Sequence, residues 1–228
     1  MNILYTFLLM YLIMSSLEWY IHRYLMHDSD NKLLNNINHV FKQVYYKIHG
    51  SHQDENHINH HKIVQNNGDV SVEDDGMFYS ASHIPITTVV SFTMYYALTK
   101  LLGYTHTVKE YTIMFGCFGG VSYLYYLLWN ILHPTYHKYG GYENNEFIRG
   151  NILYKFLEKY HLIHHLHKGD NKCNFNIIIP GFDHLAGTFR WSVDNNEFCG
   201  DNTDKTYKER VLCENVKLRK TIEYNESI

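Results

Sequence analysis

The chain alternates long apolar stretches with polar stretches that are rich in histidine. Residues 1–17 contain no charged side chain, and the apolar run resumes after Glu18. At ~1.5 Å rise per residue, a helix from Ile3 to Ile21 comes close to the ~30 Å hydrocarbon core of a bilayer. We therefore predict a first membrane span over residues 1–21. A signal peptide is the competing interpretation, which the lack of a basic region and of a small-residue cleavage site disfavours.

Two further stretches have the same apolar character. Residues 76–99 and residues 111–132 contain no Asp, Glu, Lys or Arg. Pro85 stands where the first of them could begin as a helix, because proline is tolerated in a first helical turn. The connection between the two stretches is short, so we predict a helical hairpin of two spans over residues 76–132. The fold class predicted from this pattern is all-α, an integral membrane helical bundle with about three spans and a cytosolic, histidine-rich helical cap.

Basic residues predict the orientation of these spans. Of the 20 Lys and Arg residues, five lie within residues 23–62 and thirteen within residues 138–220, which leaves Lys100 and Lys109 at the hairpin turn. Because cytosolic loops are enriched in Lys and Arg, we predict that residues 22–75 and 133–190 are cytosolic. An odd number of spans then places the N-terminus on the lumenal or exterior side.

The remaining segments are polar, and with 228 residues the chain is predicted to form a single domain over residues 1–228. Residues 145–167 are predicted to be a helix, residues 172–188 a loop, and residues 191–228 a mixed-charge tail with a weak helical stripe. A net charge of −3 gives no support to a nucleic-acid partner. The four cysteines form no CxxC pair, so neither a thiolate zinc site nor a disulfide framework is predicted.

Ten of the 17 histidines fall into four short groups, each at or beyond a predicted cytosolic helix end. On a helix, with ~100° per residue, the three histidines of an H-x2-H-H group face the same way. Neutral imidazole binds Fe, Zn, Cu and Ni, and ten imidazoles exceed what one tetrahedral ion can use. We therefore predict two metal ions. The predicted ligands are His22, His27, His57, His60, His61, His133, His137, His161, His164 and His165.

Two of the spacings are less favourable for a shared site. His22 and His27 are five residues apart, ~140° around an ideal helix, so they converge only through fraying or a π-bulge, or they bind different metals. Pro134 disfavours a helical conformation at His133. We therefore predict that the third span ends at His133 and that His137 does not reach the site through simple i, i+4 geometry.

Other polar residues could support the ligands, because a metal-bound imidazole usually donates its second ring nitrogen to an acceptor. Glu18, one turn before His22, and Asp183 are candidate acceptors; the alternative for Glu18 is an acid that reaches for the membrane interface. The candidates for a supporting or ligating role are His49, His52 and His184. Ordinary surface or core positions are predicted for His39, His83, His106 and His167, with a role in a substrate path left open for His83.

At these residues the chain resembles the membrane fatty acid hydroxylase/sterol desaturase superfamily, over residues 18–189. EWYIHRYLMH looks like the first histidine box of that family, HINHHK like the second and WNILHPTYH like the third. KYHLIHH, followed by NFN and FDHLAGTF, resembles the last box and the closing segment. Asn176 stands where the family usually has glycine, and Ala186 where it usually has phenylalanine. The last box is most similar to fatty acid 2-hydroxylases, and the first also to carotene hydroxylases.

The resemblance implies an O2-dependent oxidoreductase with two Fe ions as cofactors, Zn being possible in a purified or resting form. Its expected substrate is a lipid in the bilayer, a fatty acyl or sphingolipid acyl chain that is hydroxylated or desaturated at an unactivated C–H bond. A sterol or carotenoid is the alternative substrate. Because no cytochrome b5 haem loop is found, the implied electron donor is an external cytochrome b5 or NAD(P)H-dependent reductase. The expected location is the endoplasmic reticulum or an equivalent membrane.

Two rival functions remain at this point. A histidine-rich zinc-binding or transport protein would be expected to carry polar residues inside its spans, and these spans contain few. A catalytically inactive, lipid-binding relative is disfavoured by the complete set of ten histidines. Metal content separates the three: two irons for the oxygenase, zinc for transport, and no metal for the inactive relative.

Overall fold

The computed structural model describes residues 3–27, 39–40, 43, 57, 59–61, 63–64, 78–139, 142, 144–166 and 173–191. These residues contain helices and no strand, which confirms the all-α prediction. A π-helical segment, Ile21–Met26, continues the first helix. The α-helices are α1 (Ile3–Tyr20), α2 (His83–Leu101), α3 (Val108–Tyr136), α4 (Glu146–Arg149), α5 (Ile152–Leu166) and α6 (Phe182–Leu185).

Helices α2 and α3 form the predicted hairpin. Tyr96 lies against Tyr111 with ring centroids 5.1 Å apart, and Phe92 lies against Phe115 at 5.2 Å, so the two helices run antiparallel. Helix α1 packs beside this hairpin through an apolar cluster of Met10, Ile13, Met14, Tyr95 and Phe118. The cluster contains none of the ten candidate metal ligands and holds the three long helices together.

Two helical stretches are long and apolar enough to cross a membrane, residues Leu4–Met26 and Val108–Tyr136. Helix α2 is more polar, and its hydroxyl groups are satisfied within the helix. The hydroxyls of Thr87, Ser91 and Thr99 each donate to the carbonyl four residues earlier. A third span therefore remains a prediction. Helix α2 could form it, because these hydroxyls are hydrogen-bonded within the helix.

Helix α3 begins with a capping box at Thr107. The Thr107 hydroxyl accepts the Glu110 N–H at 3.2 Å, and the Glu110 carboxylate accepts the Thr107 N–H at 2.7 Å. Since both bonds satisfy N–H groups that the first helical turn leaves open, the cap stabilises the start of α3.

We expect Thr107→Ala to lower the free energy of unfolding by about 1 kcal/mol, because alanine cannot accept the Glu110 N–H. Thermal denaturation of the purified protein in detergent measures this change. Thr112→Ala is the control, because the exposed Thr112 hydroxyl bonds only to the Val108 carbonyl within the helix. Equal stability of the two variants would contradict a stabilising cap.

The predicted end of the third span at His133 is wrong. Helix α3 continues through Pro134 to Tyr136, and His137 forms its C-cap. Pro134 lacks only the one N–H that would donate to the carbonyl four residues earlier. The last turn is closed instead by the N–H groups of His137 and Tyr139, which donate to the Pro134 carbonyl at 3.0 and 2.9 Å. His133 and His137 are therefore one helical turn apart.

The predicted helix over residues 145–167 is divided into α4 and α5. The Asn145 side chain accepts the N–H groups of Phe147 and Ile148, and Asn151 accepts that of Leu153 at 2.8 Å. Each asparagine caps a new helix, so α4 and α5 are two separate helices. His167 lies outside the described residues, as does the tail from residue 192 onward, with its predicted helical stripe.

Residues 173–191, called here the closing segment, return to α1 after α5. They contain the short helix α6 inside the predicted loop. Ile177 of this segment is completely buried in a second apolar cluster with Trp129 of α3 and Leu157 of α5. This cluster places the closing segment beside the histidine-bearing ends of α1, α3 and α5.

Candidate metal centre

The structure brings all ten predicted ligands into two groups of five. Within each group, the ligand nitrogens all lie within 4.8 Å of one another. Group A comprises His22, His27, His57, His61 and His164, and group B comprises His60, His133, His137, His161 and His165.

The π-helical segment resolves the unfavourable spacing of His22 and His27. A π-helix closes its hydrogen bonds between residues five apart, so it brings positions i and i+5 to the same side. The two imidazole rings stack with centroids 5.1 Å apart, and both belong to group A. Of the alternatives that the sequence left open, the structure shows the π-helical one.

Each H-x2-H-H motif is shared between the two groups. On α5, His161 and His165 belong to group B, whereas His164 belongs to group A. The other triad has the opposite division, with His60 in group B and its two neighbours in group A. The rings of His61 and His165 stack across the boundary with centroids 4.2 Å apart, so the two groups are adjacent.

Distances between Nε2 atoms fit coordination of one ion in each group. In group A, the Nε2 of His57 lies 3.0 Å from that of His22 and 3.2 Å from that of His61. In group B, the Nε2 of His161 lies 2.9 Å from that of His137 and 3.0 Å from that of His165. Two nitrogens ~2.1 Å from one ion are ~3.0 Å apart at a right angle and ~3.4 Å apart at a tetrahedral angle.

Hydrogen bonds between imidazoles do not account for this clustering. The Nε2 of His57 lies within 3.3 Å of three other Nε2 atoms, those of His22, His27 and His61. A ring nitrogen carries either one proton or one lone pair, so it can form only one such bond well. Several lone pairs that converge on one point are the arrangement that a cation requires.

Burial keeps the imidazoles in the neutral form that binds metal. His57, His60 and His61 have pKa values well below the usual range, first because burial disfavours the charged ring and then because neighbouring imidazoles would repel it. Burial has the same effect on the pKa values of His161 and His165. At neutral pH these rings are uncharged, so their lone pairs are available without removal of a proton.

Backbone carbonyls of the closing segment orient two of the group A ligands. The Nδ1 of His22 lies 2.7 Å from the Phe175 oxygen, and the Nδ1 of His164 lies 2.7 Å from the Cys173 oxygen. Since a carbonyl can only accept, each Nδ1 carries the proton and each Nε2 directs its lone pair into group A.

The two carboxylates proposed as acceptors for imidazoles bind the closing segment instead of the imidazole rings. Among the described residues, Glu18 accepts hydrogen bonds from the closing segment and from Tyr125, and it does not contact the Nδ1 of His22. Asp183 accepts bonds from backbone and hydroxyl groups around the same segment. Both acids are completely or almost completely buried, so the interfacial alternative for Glu18 does not apply.

The remaining histidines lie outside both groups or outside the described residues. His184 is exposed and stacks on Phe189 with ring centroids 3.9 Å apart, so its predicted role at the metal is wrong. His83 is buried at the start of α2 and stacks on Tyr79, and His106 stacks on Tyr95. His39 is exposed. His49 and His52 are not among the described residues.

Sequence reasoning missed the polar residues of α1 that hold the closing segment. Tyr11 and Ser15 bond to this segment and stand before Glu18 and His22 at spacings of four, three and four residues. Such spacing places all four on one face of a helix. A polar stripe along an otherwise apolar span was the signal that could have identified them.

In comparison with known proteins, no family model matches the chain, and neither a curated protein nor a solved structure matches it. The assignment of a function therefore depends on the candidate metal centre itself. What the structure defines is a helical protein with two adjacent, buried groups of five histidines, each able to hold a metal ion.

Proposed function

We propose that this chain is an integral membrane di-iron oxygenase that hydroxylates or desaturates an unactivated C–H bond of a lipid. The observation that carries this proposal is the pair of adjacent groups of five imidazoles. The superfamily resemblance of the four histidine boxes supports it, and the preferred substrate is a fatty acyl or sphingolipid acyl chain. A sterol or carotenoid is the alternative within the same class.

The number and spacing of the ligand nitrogens favour iron over zinc. Zinc in proteins is almost always tetrahedral with four ligands, whereas each group offers five nitrogens with several separations near the right-angle value. Imidazole suits iron, and the five nitrogens of each group would hold one iron ion. Bound iron would supply the activation of O2 and the oxidation of a C–H bond that no side chain can attack.

The chain's own residues hold the ions, exclude water and place the site near the end of two apolar helices. Nine of the ten ligands are buried and the tenth, His61, is half-buried, so the centre is shielded from bulk water. His22 lies toward the C-terminal end of one candidate span, and His133 toward that of the other. An acyl chain among these helices could therefore keep its tail in the bilayer while one carbon reaches the histidines.

The same placement supports the proposed arrangement of three spans in a membrane. Because α1 and α3 meet at their C-terminal ends and α2 runs antiparallel to α3, three spans would bring all histidine groups to one face. The distribution of basic residues supports a cytosolic location for that face, and the proposed membrane is the endoplasmic reticulum or an equivalent membrane. An external cytochrome b5 or NAD(P)H-dependent reductase would deliver electrons there.

Metal content and lipid products together test the proposed function. We expect about two irons per chain after anaerobic incubation of the purified protein with ferrous ion, since each group offers a complete ligand set. Mass spectrometry of lipids from expressing cells should show an oxygenated or desaturated lipid that depends on O2. The matched control is His164→Ala, which lacks one group A ligand.

Two outcomes would contradict the proposal in different ways. A protein that takes up zinc but no iron, without a change in cellular lipids, would support a zinc-binding or transport function instead. A protein that binds no metal would support a lipid-binding relative without catalytic activity.

A further inference from the structure

A polar face of α1 binds the closing segment through hydrogen bonds. The Ser15 hydroxyl donates to the Ile179 carbonyl at 2.9 Å and accepts the Phe182 N–H at 2.9 Å. One turn earlier, the Tyr11 hydroxyl donates to the Pro180 carbonyl. These bonds join residues more than 160 positions apart, so the segment is attached to α1 by specific polar contacts.

Glu18, on the same face of α1, also binds the closing segment, through its carboxylate. Its oxygens accept the N–H groups of Ile177, Ile178 and Ile179 at 3.0, 2.8 and 2.9 Å. Only 4% of the residue is exposed, so these backbone donors replace the water that a carboxylate otherwise needs.

Asp183 holds the closing segment from within. Its oxygens accept the N–H groups of Phe175 at 3.0 Å and Asn176 at 2.7 Å, and the hydroxyl of Thr188 at 2.6 Å. Tyr160 of α5 donates a further hydroxyl at 2.5 Å. The carboxylate is completely buried and connects the segment to the helix that carries His164.

Asn176 connects the hydrogen bonds of α1 with those of Asp183. Its amide nitrogen donates to the Ser15 carbonyl at 2.7 Å and lies 3.4 Å from the Glu18 carboxylate. Its amide oxygen accepts the Asp183 N–H at 3.0 Å. A glycine at this position could form none of these three bonds.

Peptide geometry links Glu18, Asn176 and Asp183 to the ligands of group A. The Phe175 carbonyl and the Asn176 N–H belong to one planar trans peptide unit, so they point in opposite directions. When Asp183 binds that N–H, the carbonyl is directed toward His22. The Cys173 carbonyl is fixed through Thr188: the Asn174 N–H of its peptide unit donates to the Thr188 carbonyl at 3.1 Å, and the Thr188 hydroxyl donates to Asp183.

We propose that Glu18, Asn176 and Asp183 are positioning residues for group A, which set its metal affinity by aiming the Phe175 and Cys173 carbonyls at the ligand rings. The inference rests on the metal binding assumed in the proposed function. Acceptors behind metal-bound imidazoles fix the ring orientation and raise the basicity of the ligand. All three residues act through the closing segment, and none of them belongs to either group of ligands.

A Co²⁺ titration of the metal-free protein, followed by visible absorption in detergent micelles, tests the proposal. His164→Ala and His161→Ala identify the binding steps of group A and group B. In Asp183→Asn, an NH2 group replaces one oxygen and faces a backbone N–H. We expect Asp183→Asn and Asn176→Ala to weaken group A by about 10–100-fold and to leave group B unchanged.

A second measurement separates positioning from general stability. In the Co²⁺ protein, the Nδ1 protons of His22 and His164 should give shifted NMR signals that exchange slowly with solvent, because carbonyls hold them. We expect these signals to exchange faster in Asp183→Asn. Glu110→Gln is the matched control, since Glu110 is also a carboxylate that accepts a backbone N–H, but at the start of α3.

The outcomes separate this inference from the proposed function. A wild-type protein that binds two ions, with variants of unchanged affinity and proton exchange, would overturn this inference alone. A wild-type protein that binds no metal would overturn both. If Asp183→Asn does not fold, Glu18→Gln weakens the segment from the α1 side, and an equal loss at both groups in the folded variants would also refute the positioning role.

Discussion

Replacing His164 with alanine should remove the ion of group A, and replacing His161 should remove that of group B. Each change deletes one of five nitrogens and opens a cavity in a buried site. Because changes behind the ligands alone cost 10–100-fold in affinity, we expect loss of a ligand to cost at least about a hundredfold. Iron per chain should then fall from about two to about one, and lipid oxidation should cease in both variants.

The two groups make this experiment more specific than an ordinary loss of activity. His165→Ala should resemble His161→Ala, since both residues belong to group B and lie one turn apart on α5. His164 lies between them in sequence but belongs to group A, so its variant should retain the other ion. Metal analysis combined with Co²⁺ spectra of each variant distinguishes these results.

His184→Ala is the matched control for these variants. It removes an exposed imidazole outside both groups, and we expect two irons and full activity. Full activity in His161→Ala, His164→Ala or His165→Ala would remove that residue from the ligand set. If every ligand variant lost both ions together, this result would contradict the expectation that the two groups bind their ions independently.

Local patterns identified the helices and the candidate ligands because both depend on short spacing. An uncharged apolar stretch needs a helix to satisfy its backbone, and an H-x2-H-H motif on a helix exposes three rings on one side. Neither rule states which group receives which histidine. That division depends on how α5 meets the residues around His60, which is a property of tertiary packing.

Predictions from local sequence were wrong or undecided where an unfavourable local conformation is accommodated by the rest of the fold. Proline at position 134 is unfavourable inside a helix, yet Trp129 and residues 133–136 are buried, and Trp129 and Tyr136 pack in the core beside α5. A spacing of five between His22 and His27 is unfavourable for an α-helix, and a π-helical segment accommodates it. Rare conformations of this kind are often found at functional sites.

The closing segment was the least predictable part of the site. Its composition correctly indicated a loop, but the acceptors for His22 and His164 are backbone carbonyls, which any residue provides. Glu18 and Asp183 were identified as supporting residues, although they act on the segment and not on the rings. Which peptide unit a carboxylate orients depends on three-dimensional structure, and the sequence offers no local signal for it.

Lowering the pH should destabilise the metal-free protein and release metal from the loaded protein. The folded-state pKa values of His57, His60, His61, His161 and His165 are well below the usual value of ~6.5, chiefly because these rings are buried. Below that value the unfolded chain binds more protons than the folded protein, so stability falls as the pH falls. Protons also compete with metal for each imidazole.

The expected effect is large because the groups act together. Between pH 7 and pH 5.5, each of these rings should cost the metal-free protein about 1 kcal/mol of unfolding free energy. Five such rings approach the ~5–15 kcal/mol net stability of a typical protein. Thermal denaturation at several pH values should therefore show unfolding of the metal-free histidine centre near pH 5.5, while the loaded protein persists to lower pH.

Equilibrium dialysis over the same pH range measures the release of metal. We expect both ions to be retained at pH 7.5 and lost progressively below about pH 6.5, with His184→Ala unchanged because that ring is exposed and outside both groups. Retention of both ions well below pH 5 would argue against coordination by imidazole alone. Stability of the metal-free protein that stays constant or rises as the pH falls would contradict the burial of neutral rings.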